Sequence, residues 1–306
     1  MKKLNVSFEG VQDTTGYLFS LAKSLSAVLR CGGYEEYAED IIAASGFAFR
    51  TWAAADLCPS AMSIWEFKKQ KPWVENGGLI CRYVERMWGE DAVEKERREE
   101  AIQLIRESVD RGMAAVAWDI SGAEWGIITG YDEENRILYT RKTDDSEDQI
   151  PYDRLGQLEL PILSVLTVAG SAPKDDKQLV ADTKALIASH LRGEEWCDNA
   201  QGIAAYDTLI EFIRDKLTPD VVWNLEYYLG TYAALRFYAW KFFAKYEEQE
   251  LAALYDIVYR SWQEAFELKC NADVMDMEVR EQLIALLQRA KEAEEKVRAL
   301  EVTTVG

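Results

Sequence analysis

The sequence predicts an α+β first half, residues 1–170, followed by an all-α second half, residues 171–306. Three observations carry this. Apolar residues recur at steps of three and four over Gly16–Arg30 and Glu94–Arg111, which is helical spacing. Short β-type runs joined by tight turns occupy 113–141, as in an antiparallel meander. Beyond the linker-like Gly-Ser-Ala-Pro-Lys-Asp-Asp-Lys at 170–177 the pattern is purely helical. Helices and strands segregated along the chain indicate α+β rather than alternating α/β architecture.

In chain order, Leu18, Leu21, Leu25, Val28 and Leu29 line one face of a first helix. Asp13, Thr14 and Thr15 offer N-caps before it, and Gly32-Gly33 stop it. A second helix is expected over Tyr34–Ala44 and a third over Glu94–Arg111. Strands are expected at Met113–Asp119, Glu124–Gly130 and Arg136–Arg141, with Leu160–Ala169 closing the sheet. The second half reads as helices at Gln178–Leu191, Asn199–Lys216, Pro219–Lys245, Glu248–Leu268 and Met275–Leu300. Its dense Tyr, Trp and Phe positions recur at helical steps and are read as core, with an interface pocket as the alternative use. In the last helix Val279, Leu283, Leu286, Ala290, Ala293, Val297 and Leu300 form a heptad seam. Such a seam packs on its own domain or makes a homodimer through Val279–Leu300.

Composition narrows the function. Hydrophobic residues at 48% and charged residues at 29% describe a folded chain. The net charge of -19 divides evenly, -10 before residue 170 and -9 after it. No basic patch exists to track a phosphate backbone, so neither nucleic acid nor an anionic membrane is an expected partner. Cys31, Cys58, Cys81, Cys197 and Cys270 are widely spaced without a C-x-x-C pair. Buried reduced thiols in a cytoplasmic protein are expected, with no metal and no cofactor. The Met-Lys-Lys-Leu-Asn-Val start lacks an apolar stretch, so no signal peptide is expected, and no apolar run is long enough to span a bilayer. The acidic Asp144, Asp145, Glu147 and Asp148 lack the spacing of a calcium loop and read as a solvated turn.

Leu25–Arg30 with Gly32-Gly33, then Ser45-Gly-Phe-Ala-Phe-Arg50, then Glu124-Trp-Gly-Ile-Ile-Thr-Gly-Tyr-Asp132, follow one another in a familiar order. This arrangement resembles the domain named after butirosin biosynthesis protein H, and Gly202-Ile-Ala-Ala-Tyr-Asp207 with the aromatic helix around Arg236 resembles its helical companion region. The resemblance implies a papain-like, peptidase-C39-like cysteine-peptidase-type domain followed by a helical domain. That fold's chemistry places a cysteine at the start of the first long helix, a histidine at the start of a strand and an orienting Asp or Asn on the next. Here the first helix offers only Ser20 as a nucleophile. Cys31 lies at the wrong end, Glu124 or Trp125 stands where histidine belongs, and Thr140, Arg141 and Lys142 occupy the third position. The single histidine, His190, lies in the helical half and reads as an ordinary surface or interface residue.

The leading expectation is therefore a catalytically degenerate papain-like protein that binds a small molecule or peptide. Its cleft would lie near the first helix's N-terminus and the domain interface, with Tyr17, Ser20, Arg50, Trp52, Glu124 and Trp125 near it. One alternative is an acyl or aminoacyl transferase or amidohydrolase of natural-product metabolism, using Glu124 as base toward water or a substrate amine. A carboxylate raised by burial suits that role, whereas pairing with an Arg such as Arg50 would make Glu124 structural. The other alternative is a self-assembling protein acting through the terminal heptad helix.

Overall fold

The computed structural model describes residues 1–62, 66–195 and 198–303, with side chains described to residue 300. Its helices are α1 (Ser20–Cys31), α2 (Asp40–Ala44), α3 (Gln70–Asn76), α4 (Glu94–Asp110), α5 (Asp176–Leu191), α6 (Ile203–Glu211), α7 (Val222–Lys245), α8 (Gln249–Asn271) and α9 (Met277–Thr303). The strands are β1 (Lys2–Lys3), β2 (Trp52–Ala53), β3 (Leu79–Arg86), β4 (Ala115–Ala117) and β5 (Gly126–Asp132). They continue with β6 (Ile137–Arg141), β7 (Glu147–Pro151), β8 (Leu163–Ser171) and β9 (Ala200–Gln201).

These elements form two compact units that are interleaved in sequence. The first comprises Met1–Gln12, Ser20–Ile42 and Glu66–Lys174, and the second Asp13–Phe19, Ala43–Trp65 and Asp175–Gly306. A division at 170/171 thus falls close to the start of the second unit's long stretch, but two earlier segments group with the helices instead.

In the first unit the sheet runs β3-β8-β4-β5-β6-β7, with β1 added to β5, and its pairs are antiparallel. Ala101, Ile105 and Val109 of α4 join Ala115, Ala117, Ile128, Leu138 and Val165 in one core cluster. Val116 points the opposite way along β4 and is also buried. Helix α1 packs on β4 and β5. Its face is Leu21, Leu25, Val28 and Leu29, all at 1% exposure or less. At about 2 kcal/mol for each fully buried aliphatic side chain, that face anchors the helix far more firmly than its own propensity could.

The expected elements are present with shifted ends. Helix α1 begins at Ser20 rather than Gly16, because Asp13 Oδ1 accepts the N–H groups of Gly16 (2.9 Å) and Leu18 (3.2 Å) and closes a non-helical turn first. The helix expected over Tyr34–Ala44 is divided into a 3-10 turn at Glu35–Tyr37 and α2. Strands β3 and β7 had no counterpart in the sequence pattern.

The second unit is mainly helical, with α8 packed on both α7 and α9. Its early segment brings Phe49 against Phe243 (5.6 Å) and Tyr255 (5.1 Å). It is not purely α, since β2 and β9 pair antiparallel, Trp52 opposite Gln201. Leu283, Ala290, Ala293 and Val297 of the heptad seam are buried within this unit, so the seam is occupied inside the chain at those positions. Among the described residues no helix is long and apolar enough to cross a membrane.

Candidate functional site

Ser20 is the first residue of α1 and is 6% exposed. Its hydroxyl donates to the Glu124 carboxylate and accepts the backbone N–H of Trp125 at 3.1 Å. Three of the six expected cleft residues, Ser20, Glu124 and Trp125, therefore meet within the first unit. Ser20 begins α1, and Glu124 lies two residues before β5.

The turn that delivers Glu124 is shaped by Asp119, the last residue of the strand expected over Met113–Asp119. Asp119 is 3% exposed, and its carboxylate accepts the N–H groups of Ala123 (2.9 Å) and Leu160 (2.8 Å). Asp119 and Ala123 both take positive φ, 63° and 43°. Asp tolerates that region through local hydrogen bonding, whereas Ala does so at a cost of about 1–3 kcal/mol. Ala123, where the chain accepts this strain, immediately precedes Glu124. The signal was present in Trp-Asp-Ile-Ser-Gly-Ala, an Asp and a Gly bracketing a tight connection.

Trp125 is wholly buried, its ring 5.3 Å from Trp118 and 5.0 Å from Phe67. Its indole N–H has no acceptor among the described residues. Thr140 and Arg141 pair with Ile128 and Ile127, and Arg141 is engaged by Asp145 and Glu147 in the β6–β7 turn. The acidic cluster is thus met by cations, with Lys142 on Asp148 and Lys3 on Glu147. Among the described residues no group of His, Cys, Asp and Glu is arranged to hold a metal ion.

Tyr17, Arg50 and Trp52 belong to the second unit. The Tyr17 hydroxyl donates to Glu226 at 2.7 Å, and burial, reinforced by that carboxylate, pushes its pKa up to about 12. Its ring meets Tyr227 and Phe266 edge-on. Arg50 is 1% exposed and forks onto Glu195, with Nε and Nη2 at 2.9 and 2.7 Å from the two oxygens. Gly46 (φ 82°) lies against this guanidinium, and a Cβ there would come within 2.3 Å of Nη1. The Trp52 N–H donates to the Tyr232 hydroxyl at 2.8 Å, and that hydroxyl donates to Trp52 O at 2.6 Å. Arg50 and Trp52 line a cavity of about 10 Å³ with Phe19, Phe47 and Thr231, about the space of one water molecule.

His190 is not a surface residue. It is 1% exposed, with Nδ1 2.9 Å from Glu195. Burial pushes its pKa below the ordinary histidine range, Glu195 pulling it back and Arg50 and Arg236 adding to the depression. Burial would raise the Glu195 carboxyl, but His190 and Arg50 together outweigh it and hold it at about 2. Glu195 was missed because nothing local distinguishes it from its neighbour Glu194. The expectation of buried thiols holds for Cys81, whose pKa burial pushes up to about 12, but Cys31 and Cys270 are exposed. Cys197 lies outside the described residues.

No family model matches this chain, and no curated protein matches it.

Proposed function

We propose that the first unit is a catalytically degenerate papain-like domain that binds a small molecule or peptide beside the start of α1. Glu124 is its contact residue, with the buried Trp125 behind it. The observation that carries this reading is the Ser20 hydroxyl, held between the Glu124 carboxylate and the Trp125 N–H at the first residue of α1. Both the donor and one acceptor site of the hydroxyl are engaged, and the side chain is almost wholly buried. A carboxylate is also a weaker base than imidazole by about two pKa units, so replacing histidine with glutamate lowers the drive to ionise a hydroxyl. A carboxylate at a helix start beside an indole is suited to recognising an amine or amide group.

A second reading keeps chemistry: acyl or aminoacyl transfer, or amide hydrolysis, with Glu124 as base. It is favoured by the same contact, because a hydroxyl donating to a carboxylate is the geometry of a nucleophile and its base. The two separate experimentally. Under the binding reading, at least one member of a panel of amino-acid amides, dipeptides and tripeptides raises the melting temperature of the wild-type protein, and Glu124→Gln loses that shift. A fluorophosphonate probe then labels wild type no more than Ser20→Ala, and p-nitrophenyl acetate is not turned over. Labelling at Ser20, or turnover abolished by Glu124→Gln, replaces the binding reading with the enzymatic one.

A further inference from the structure

The single histidine of the chain ties the short strand pair of the second unit to α5. Its Nε2 lies 2.7 Å from the Thr51 N and 3.2 Å from the Gly202 N, while Nδ1 faces Glu195. A carboxylate can only accept and a backbone N–H can only donate, so the ring is neutral with its proton on Nδ1. The Gly202 N–H is shared with Thr51 O at 2.9 Å, which places Nε2 at the point where the β2–β9 ladder ends. Gly202 (φ 57°) is what permits this approach, since a Cβ there would lie 2.4 Å from His190 O.

We propose that His190 is an acid-released latch on the β2–β9 pair. A proton taken from solvent at Nε2 converts the acceptor of the Thr51 N–H into a donor facing it, and frees residues 51–53 and 200–202 while α7 and α8 stay folded. Thr51 O, 3.1 Å from Nε2, can accept the new N–H with its second lone pair beside Gly202, but the Thr51 N–H is left without its partner. A buried N–H stripped of its acceptor is costly enough to open a two-residue ladder.

The charged groups around the ring set the direction. Glu195 beside α5 favours the cation; Arg50 on the early segment and Arg236 of α7 oppose it, and Arg236 is itself paired with Glu294 of α9. The Trp52 ring meets the imidazole edge-on at 5.2 Å and contributes no charge. Burial is the largest influence and favours the neutral ring. The closed form therefore protonates below the ordinary value of 6.5 and the open form near it. The latch is at full strength above about pH 6.5 and is lost as pH falls through the depressed value.

Long-range proton–nitrogen NMR of the imidazole and amide hydrogen exchange test this on the full chain. At pH 7.5 the ring proton is expected on Nδ1 alone. Between the open-form value near pH 6.5 and the depressed closed-state value, the protection of the Thr51 amide, corrected for intrinsic exchange, is expected to fall by up to about tenfold per pH unit and to level off below that. Leu229 and Ala233 in α7 should keep theirs. His190→Gln supplies a carbonyl acceptor that does not titrate, and should make Thr51 protection independent of pH. A proton on Nε2 at pH 7.5, a pH-independent Thr51 amide in wild type, or an equal loss in α7 would overturn the latch. Should the variant not fold, the two wild-type measurements decide alone.

Discussion

Arg50 and Arg236 are both almost completely inaccessible, and each is met by a carboxylate that is distant in sequence. Arg236 donates to Glu294 at 2.9 Å, to Ala48 O at 2.8 Å and to the Thr51 hydroxyl, with both members of the ion pair at 0% exposure. Breaking such a pair leaves a buried charge without compensation, which costs about 3–5 kcal/mol. Arg236→Met should therefore lower the melting temperature of the second unit sharply at pH 8. Burial already pushes the Glu294 carboxyl up, with Arg236 opposing it, so in the variant the acid is raised further and folding takes up a proton. Stability linked to a raised pKa is present in acid and lost as pH rises. The deficit of Arg236→Met should accordingly shrink between pH 8 and 5, and a deficit independent of pH would show that Glu294 is not the group exposed. At this scale the meeting of Ser20 and Glu124 could be anticipated because Ser20 begins α1 and Glu124 lies just before β5. Asp119, Glu195 and the burial of His190 were not, since their roles depend on partners that no local pattern specifies.

Helix α5 shows how well a local signal can define an element's start. Asp175 is its N-cap, in extended conformation, and its carboxylate accepts the Gln178 N–H at 2.9 Å. Helical spacing predicts the start at Gln178, two residues late, although Asp-Asp-Lys-Gln contains the cap. Asp175→Ala removes the acceptor and should cost about 1 kcal/mol, while Asp175→Asn should restore most of it. If the two variants melt alike, the loss lies in charge rather than in capping. Strand β3 illustrates the opposite case. In Leu-Ile-Cys-Arg-Tyr-Val-Glu-Arg the register slips between Ile80 and Cys81, Ile80 is 46% exposed, and Arg86 at the far end is 2% exposed. An apolar residue faces out and a charged one in, so period-two alternation cannot reveal the strand. Arg86 is accommodated because its guanidinium donates to the carbonyls of Pro161 and Gly156. Strand β7 was hidden similarly, its Glu-Asp-Gln-Ile-Pro being almost entirely exposed.

At the scale of the whole molecule, the α+β first half and helical second half followed from periodicity, but the interleaving of the two units did not. The early segment around Arg50 joins the helices through Glu195, 145 residues away, and through Tyr232, 180 residues beyond Trp52. Contacts of that range leave no trace in local spacing, whereas the resemblance in chain order assigned Ser45–Arg50 to the first half. Charge was legible throughout. The chain carries 54 acidic against 35 basic residues, and the surplus is spread over both halves rather than concentrated in a binding patch. Many surface pairs are exposed on both sides, as in Lys95 with Glu99 and Arg97 with Glu100, and such pairs contribute little. Unpaired acidic charges then repel one another in the compact state more than in the expanded one. Salt screens both effects, with a Debye length of about 30 Å at 0.01 M and about 10 Å at 0.1 M. With a surplus of 19 acidic charges set against weak exposed pairs, raising sodium chloride from 10 to 150 mM at pH 7.5 should stabilise the protein. A gain of about 1 kcal/mol would register as a rise of about 2–4 °C in melting temperature. The same increment from sodium chloride and potassium chloride would identify screening. A fall with salt would mean that the surface pairs, not the net charge of -19, dominate the electrostatics of this fold.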